Sequence, residues 1–290
     1  MNKTLVITAL FIGLLSCGST PKKRVLTELC ALPKDLKEIS GIAYTDDLLY
    51  SIEDSGNASE VILLDLKGKI ERRIAIKNTK NIDWEDLTFD TEGNLYIGDF
   101  GNNDNTRKDL AIYKIDKNNL QQNAADVSYT ITFEYPEQTH FPPKKKALLY
   151  DVEGFIAYQN YFYLFTKNRS KDFDGSSFIY KIPNTPGHHK AQLIKTITSC
   201  SDYHDCAITS AAISPDGSKF VLLSHSKVWL FENFVLDQGE TGQMTELDLD
   251  HYSQKEAITF KNNETLLIAD ESEKKTGGYL YEVRLDAVKK

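Results

Sequence analysis

Five oxygen-bearing side chains recur in one setting along this chain: Ser40, Glu85, Glu153, Thr209 and Glu256. Each stands at the start of a short apolar phrase: Ile39-Ser40-Gly41-Ile42, Trp84-Glu85-Asp86-Leu87, Val152-Glu153-Gly154-Phe155, Ile208-Thr209-Ser210-Ala211 and Lys255-Glu256-Ala257-Ile258. Three carboxylates and two hydroxyls brought to one point describe a hard-cation site. A ring of oxygen donors from five separate segments is roomy, which suits calcium, with its loose shell of about six to eight oxygens. Magnesium demands a tight octahedron, and zinc prefers nitrogen or sulfur. Without a cation, the three carboxylates would raise one another's pKa by repulsion.

A second apolar run follows each phrase, and then a polar cluster. These clusters are Glu53-Asp54-Ser55-Gly56-Asn57, Asp99-Phe100-Gly101-Asn102-Asn103, Thr166-Lys167-Asn168-Arg169, Ser224-His225-Ser226 and Asp270-Glu271-Ser272. They supply the expected ligand-binding residues: Asp54, Asp99, Asn102, Asn103, Lys167, Arg169, His225 and Glu271. If the ion activates a water, His225, Asp86 and Asp99 are the candidate acids or bases, and Lys167 and Arg169 can clamp an anion. If it does not, the ion locks the repeats together and the same side chains solvate the rim. The stretch Gly98–Asn103 looks like a phosphate loop, but no helix follows it to supply a dipole and an N–H cradle. Trp84 reads as packing at the mouth of its strand.

The elements that must position these groups are short strands in repeated units, the signature of a propeller. Each of the first four units carries two further β-like runs after its inner pair, with alternating or β-branched content. The fifth shows only one, Tyr279 to Arg284. The segment Val25 to Leu32 supplies its partner and closes the ring, so that no open edge is left. The expectation is an all-β, five-bladed propeller with four-stranded blades, one domain over residues 25–290. The segments entering the inner strands and those leaving the second strands then share one face. The Glu92-Gly93-Asn94 and Asp216-Gly217 hairpin turns fall on the other.

Net charge is −8, with acids scattered along the chain, which argues against a nucleic-acid partner. The chain starts with a short positive stretch, an apolar run from Leu5 to Leu15 too short to span a bilayer, and Leu14-Leu15-Ser16-Cys17. Residues 1–16 are therefore expected to be a signal peptide. The ending resembles a bacterial lipobox, which implies a lipidated Cys17, a tether over 17–24 and a monomeric domain held on a bilayer in the cell envelope. In an exported protein Cys200 and Cys206 can close a small disulfide loop, leaving Cys30 as a thiol. A zinc site at Cys200, His204 and Cys206 is the alternative.

At its inner-strand phrases the chain resembles the SdiA-regulated (YjiK-like) propeller family of bacteria, as does the run Leu223-Ser224-His225-Ser226. The order hydroxyl, acid, acid, hydroxyl, acid is also similar to the calcium ligands of the calcium-activated nucleotidase (apyrase) propellers. That similarity implies Ser40, Glu85, Glu153, Thr209 and Glu256 as calcium ligands, with Thr209 where that family has serine. The longer basic and aromatic insertions that handle the nucleotide there are missing here. Two functions follow as expectations. One is a lipid-anchored, calcium-binding module that recognises a small anionic ligand or an envelope component. The other is a calcium-dependent hydrolase of a phosphate or ester.

Overall fold

The computed structural model describes residues 25–272 and 276–287. The expected signal peptide 1–16, the tether 17–24 and the lipidated Cys17 lie outside the described residues. Strand β1 (Leu26–Ala31) comes first and waits for the end of the chain. Blade one is β2 (Ile39–Thr45), β3 (Leu48–Glu53), β4 (Glu60–Leu64) and β5 (Ile70–Lys77). Blade two contains β6 (Trp84–Phe89), β7 (Leu95–Asp99) and β8 (Ala111–Ile115), then β9 (Ala124–Asp126), which leaves it, and β10 (Tyr129–Glu134), which completes it. Blade three is β11 (Asp151–Tyr158), β12 (Tyr161–Lys167) and β13 (Ser176–Pro183), with β14 (Gly187–Lys190) departing before β15 (Gln192–Thr198). After the single-turn helix α1 (Tyr203–Cys206), blade four is β16 (Ser210–Ile213), β17 (Lys219–Leu223), β18 (Lys227–Glu232) and β19 (Gln243–Asp248). Blade five is β20 (Lys255–Asn262), β21 (Thr265–Asp270) and β22 (Tyr279–Arg284), and β1 pairs antiparallel with β22 to finish it.

The fold is thus the expected five-bladed, all-β propeller, closed by its first described strand. Blades one and two depart from the expected four strands. β9 crosses from blade two to pair in parallel with β5, and β14 crosses from blade three to pair in parallel with β10. Each covers an outer edge that would otherwise present free N–H and C=O groups. His188 and His189 lie in β14.

The alternation that makes these segments strands also builds the core. Among the described residues, buried side chains gather in five clusters, one at each junction between blades. Ile52, Leu63, Leu87 and Ile97 fill the junction of blades one and two, and Ile112, Phe155, Phe162 and Leu164 that of two and three. Phe165, Phe220, Trp229 and Phe231 join three to four, Val221, Leu230, Ile258 and Ile268 four to five, and Ile42, Leu49, Leu267 and Leu280 five to one. Trp84 is fully buried in the first of these, as packing. Cys200 and Cys206 are joined by a disulfide around α1, and Cys30 is unpaired.

Candidate functional site

Four inner strands carry the same irregularity at the same place. The pairing register slips between Ile39 and Gly41, Trp84 and Asp86, Val152 and Gly154, and Lys255 and Ala257. Ser40, Glu85, Glu153 and Glu256 are the extra residues of these bulges, and a bulge re-aims a side chain out of the pleat. Thr209 stands just before β16, its N–H bonded to the Leu223 carbonyl at 2.9 Å. The two hydroxyls tie neighbouring blades together: Ser40 Oγ donates to the Trp84 carbonyl at 2.8 Å, and Thr209 Oγ1 to that of Lys255 at 2.7 Å.

The inner strands approach closely beside this ring. A Cβ on Gly41 would lie 2.8 Å from the Asp86 Cα, and one on Gly154 would lie 2.5 Å from the Ala211 nitrogen. Asp86 holds the equivalent position in blade two with a carboxylate that is completely buried. It accepts from the N–H groups of Leu87 at 2.9 Å and Phe155 at 3.1 Å, with the Ala211 N–H as a further donor. Burial still holds its carboxyl well above the usual range. Asp86 therefore binds blade two to blades three and four. The expected role as an accessible acid or base is corrected: no solvent reaches it.

The three ring carboxylates have unequal surroundings. Glu153 receives Lys167 Nζ at 3.1 Å on one oxygen and Arg169 Nη2 at 2.5 Å on the other. Glu256 faces His225 Nε2 at 3.0 Å and Lys167 Nζ at 3.9 Å. Burial raises the Glu256 pKa, but Lys167, His225 and Arg169 together carry it below the ordinary value. Glu85 is 7% exposed and has neither hydrogen bond nor ion pair with any described residue. Burial raises its carboxyl well above the usual range, and Glu153, Asp151, Asp54 and Asp83 add repulsion. The ring thus divides into a cation-filled half at blades three to five and an acidic half at blades one and two.

Asp83 and Asp151, which sequence reasoning missed, complete the picture. One oxygen of each of Asp54, Asp83 and Glu85 lies within 4.8 Å of the others, and the same holds for Glu85, Asp151 and Glu153. Asp151 is neutralised by Arg169 Nε at 2.6 Å and accepts from the Asn102 N–H at 2.6 Å. Asp83 has no cation at comparable distance. Burial, then Asp54, pushes its pKa up to about 7. The signal was present in the chain: Asp83-Trp84-Glu85 and Asp151-Val152-Glu153 share an acid-x-acid spacing at the start of their inner strands.

The expected ligand-binding residues scatter in role. Asp54 stands half-buried in the acidic half; Glu271, after β21 of blade five, is also half-buried, and burial and then Glu256 push it up to about 8. Asn103 is exposed and meets Arg169. Asn102 is buried, its amide donating to the Tyr150 carbonyl and accepting from the Arg107 N–H, which makes it a loop brace. Asp99 is corrected: it is fully buried and saturated by Arg107 Nη2 at 2.8 Å, Tyr113 Oη at 3.1 Å and the Asp83 N–H at 3.1 Å. Lys167 and Arg169, expected as an anion clamp, are both engaged by carboxylates. His225 is half-buried against Glu256.

A calcium centred among Ser40, Glu85, Glu153, Thr209 and Glu256 fits this geometry poorly. Lys167 already brings an ammonium to that ring, and a divalent ion there would be repelled by it. The side that still lacks positive charge is the one shared by Glu85, Asp83 and Asp54.

No protein-family model matches the chain, and no curated protein matches it either. Solved structures do. The PQQ-bound form of aldose sugar dehydrogenase from Streptomyces coelicolor aligns over 91% of this chain and 99% of its own, at 8% identity and a TM-score of 0.51. A chain of the nidogen/laminin complex aligns over 81% of this chain and 73% of its own, at 13% identity and a TM-score of 0.44. Kuenenia stuttgartiensis hydrazine synthase aligns over 84% of this chain and 58% of its own, at 13% identity and a TM-score of 0.42. At such identities the first likeness shows the fold alone.

Proposed function

We propose that the protein is a calcium-binding propeller of the cell envelope whose polar loop face recognises a small anionic ligand or envelope component through the bound ion. The observation that carries this reading is Glu85, a buried carboxylate without a partner beside two further acids. A buried carboxylate sheds the cost of an unpaired charge by taking a proton or by coordinating a cation, and the reading assigns this one a cation. The second support is the state of the site's own cations. Lys167, Arg169 and Arg107 are each held by carboxylates. A bare anion meets a face whose positive charge is already used, and an ion held by the acids supplies the missing attraction.

The anchor belongs to the same reading. β1 runs antiparallel to β22, so Leu26 sits at the Val283 end of blade five, opposite the face where Lys255 and Asp270 end their strands. A lipid on Cys17 would therefore hold the polar face away from the bilayer. The test is a binding panel of sugar acids, dicarboxylates and phosphate esters, with calcium and with chelator. Binding of at least one class that vanishes with chelator supports the reading, and binding indifferent to chelator contradicts it.

A calcium-dependent hydrolase of a phosphate or ester is the second reading, favoured by one feature. His225 Nε2 stands 3.0 Å from Glu256 Oε1, a pairing that orients an imidazole as general base. Chelator-sensitive turnover of the same panel, abolished by His225→Gln, would establish it. Binding without turnover leaves the recognition module.

A further inference from the structure

The acidic half of the axial ring differs from every other buried acid near it. Asp86, Asp99, Asp151, Glu153 and Asp270 each collect at least two donors. Glu85, also buried, collects none among the described residues. One of its oxygens lies within 4.8 Å of oxygens of Asp54 and Asp83, which carry no cation among those residues, and one lies as close to oxygens of Asp151 and Glu153, which Arg169 and Lys167 already hold.

The chain also makes room there. A Cβ on Gly101 would lie 2.1 Å from Glu85 Oε1 and 2.5 Å from Asp83 Oδ2, so the loop after β7 runs right against both carboxylates. Asp83 is fixed from behind, its N–H donating to Asp99 Oδ1 at 3.1 Å and its carbonyl accepting from the Gly101 N–H at 3.2 Å. Asp54 is placed by its N–H on the Glu38 carbonyl at 2.8 Å, and its own carbonyl accepts from Asn81 Nδ2 at 2.9 Å. Asp54 and Asp83 are half-buried, which leaves an outer side open to water.

Resting on the reading that this face takes a calcium ion, we infer that the ion's seat is off the propeller axis, held by Glu85, Asp83 and Asp54, while Lys167 serves as the built-in cation of the axis itself. Three carboxylates, mono- or bidentate, give the ion three to six protein oxygens, and water or an oxygen of the anionic ligand completes the shell from the open side. Ser40 and Thr209 are then blade-to-blade ties rather than ligands. The inner strand of blade two supplies the deepest donor, and the loops of blades one and two supply the rest.

The test is calcium calorimetry on the full chain, with circular dichroism confirming the fold of each variant. Loss of a ligand should cost at least the roughly 10–100-fold that outer-shell changes cost metal sites. Asp54→Asn and Asp83→Asn, both at the rim, are expected to lose that much. Gly101→Ala, which crowds the carboxylates without removing one, is expected to weaken binding too. Ser40→Ala and Thr209→Val are expected to bind as the parent does. The reverse pattern, with Ser40→Ala and Thr209→Val losing calcium and the two Asn variants keeping it, would return the ion to the axis and overturn this inference alone. No calcium binding by the parent chain would overturn the proposed function along with it.

Discussion

Glu85 and Asp86 are adjacent buried carboxylates in one strand, yet Asp86 gathers backbone donors from blades two, three and four while Glu85 stands alone. The difference predicts opposite phenotypes. Asp86→Ala leaves buried amides unpaired, at about 1–3 kcal/mol each, and urea denaturation should show the loss without any requirement for calcium. A change below about 1 kcal/mol would contradict the staple role. At the far face, Asp216 is held down to about 2 by the Ser218 N–H and by the hydroxyls of Ser214 and Ser218. Its folded pKa lies below the unfolded value, so its stabilisation is present above the ordinary carboxylate range and fades as pH falls through about 2. The denaturation midpoint of Asp216→Ala should therefore lie below the parent's near neutrality and converge on it in strong acid. A gap that persists unchanged in strong acid would contradict the assignment. The ring donors were legible because their phrase repeats, but neither the isolation of Glu85 nor the saturation of Asp99 was. Phe155 comes from another blade, Arg107 from the loop after β7 and Tyr113 from β8, and only the assembled fold names them.

At the scale of the element, the bulge and the small residue after it form one device. The bulge turns Ser40, Glu85, Glu153 and Glu256 toward the axis, and Gly41 and Gly154 let the inner strands close up behind them. Gly154→Ala would force a methyl to within 2.5 Å of backbone in blade four. Overpacking of this kind costs about 1–3 kcal/mol, readable as a lowered melting temperature, and a melt unchanged from the parent would refute the close approach. The strands of the blades could be read from alternation, since hydrophobic faces recur at period two. The two crossing strands could not. Ala124–Asp126 and Gly187–Lys190 are three and four residues long and lack β-branched residues and Phe, Tyr or Trp, and they pair in parallel with a neighbouring blade, so nothing local marks them.

For the whole molecule, stability depends on closure. Each blade has its apolar faces covered by its two neighbours; β1 provides the last edge of blade five, and its Leu26 and the following Leu32 enter two junctions. Deleting residues through Leu32 should expose the edge of β22, lower the melting temperature and promote association between chains. A monomeric deletion variant that melts like the parent would show that closure contributes little. On one face five loop clusters converge, where cations satisfy one half of an acidic ring and leave the other half without a partner among the described residues. The most direct measurement is anomalous diffraction from crystals of the protein grown with calcium or with manganese as its heavier stand-in. The expected result is a peak bounded by the carboxylates of Glu85, Asp83 and Asp54, with Lys167 still between Glu153 and Glu256. A peak on the axis among Ser40, Glu85, Glu153, Thr209 and Glu256, or none on this face, would contradict it.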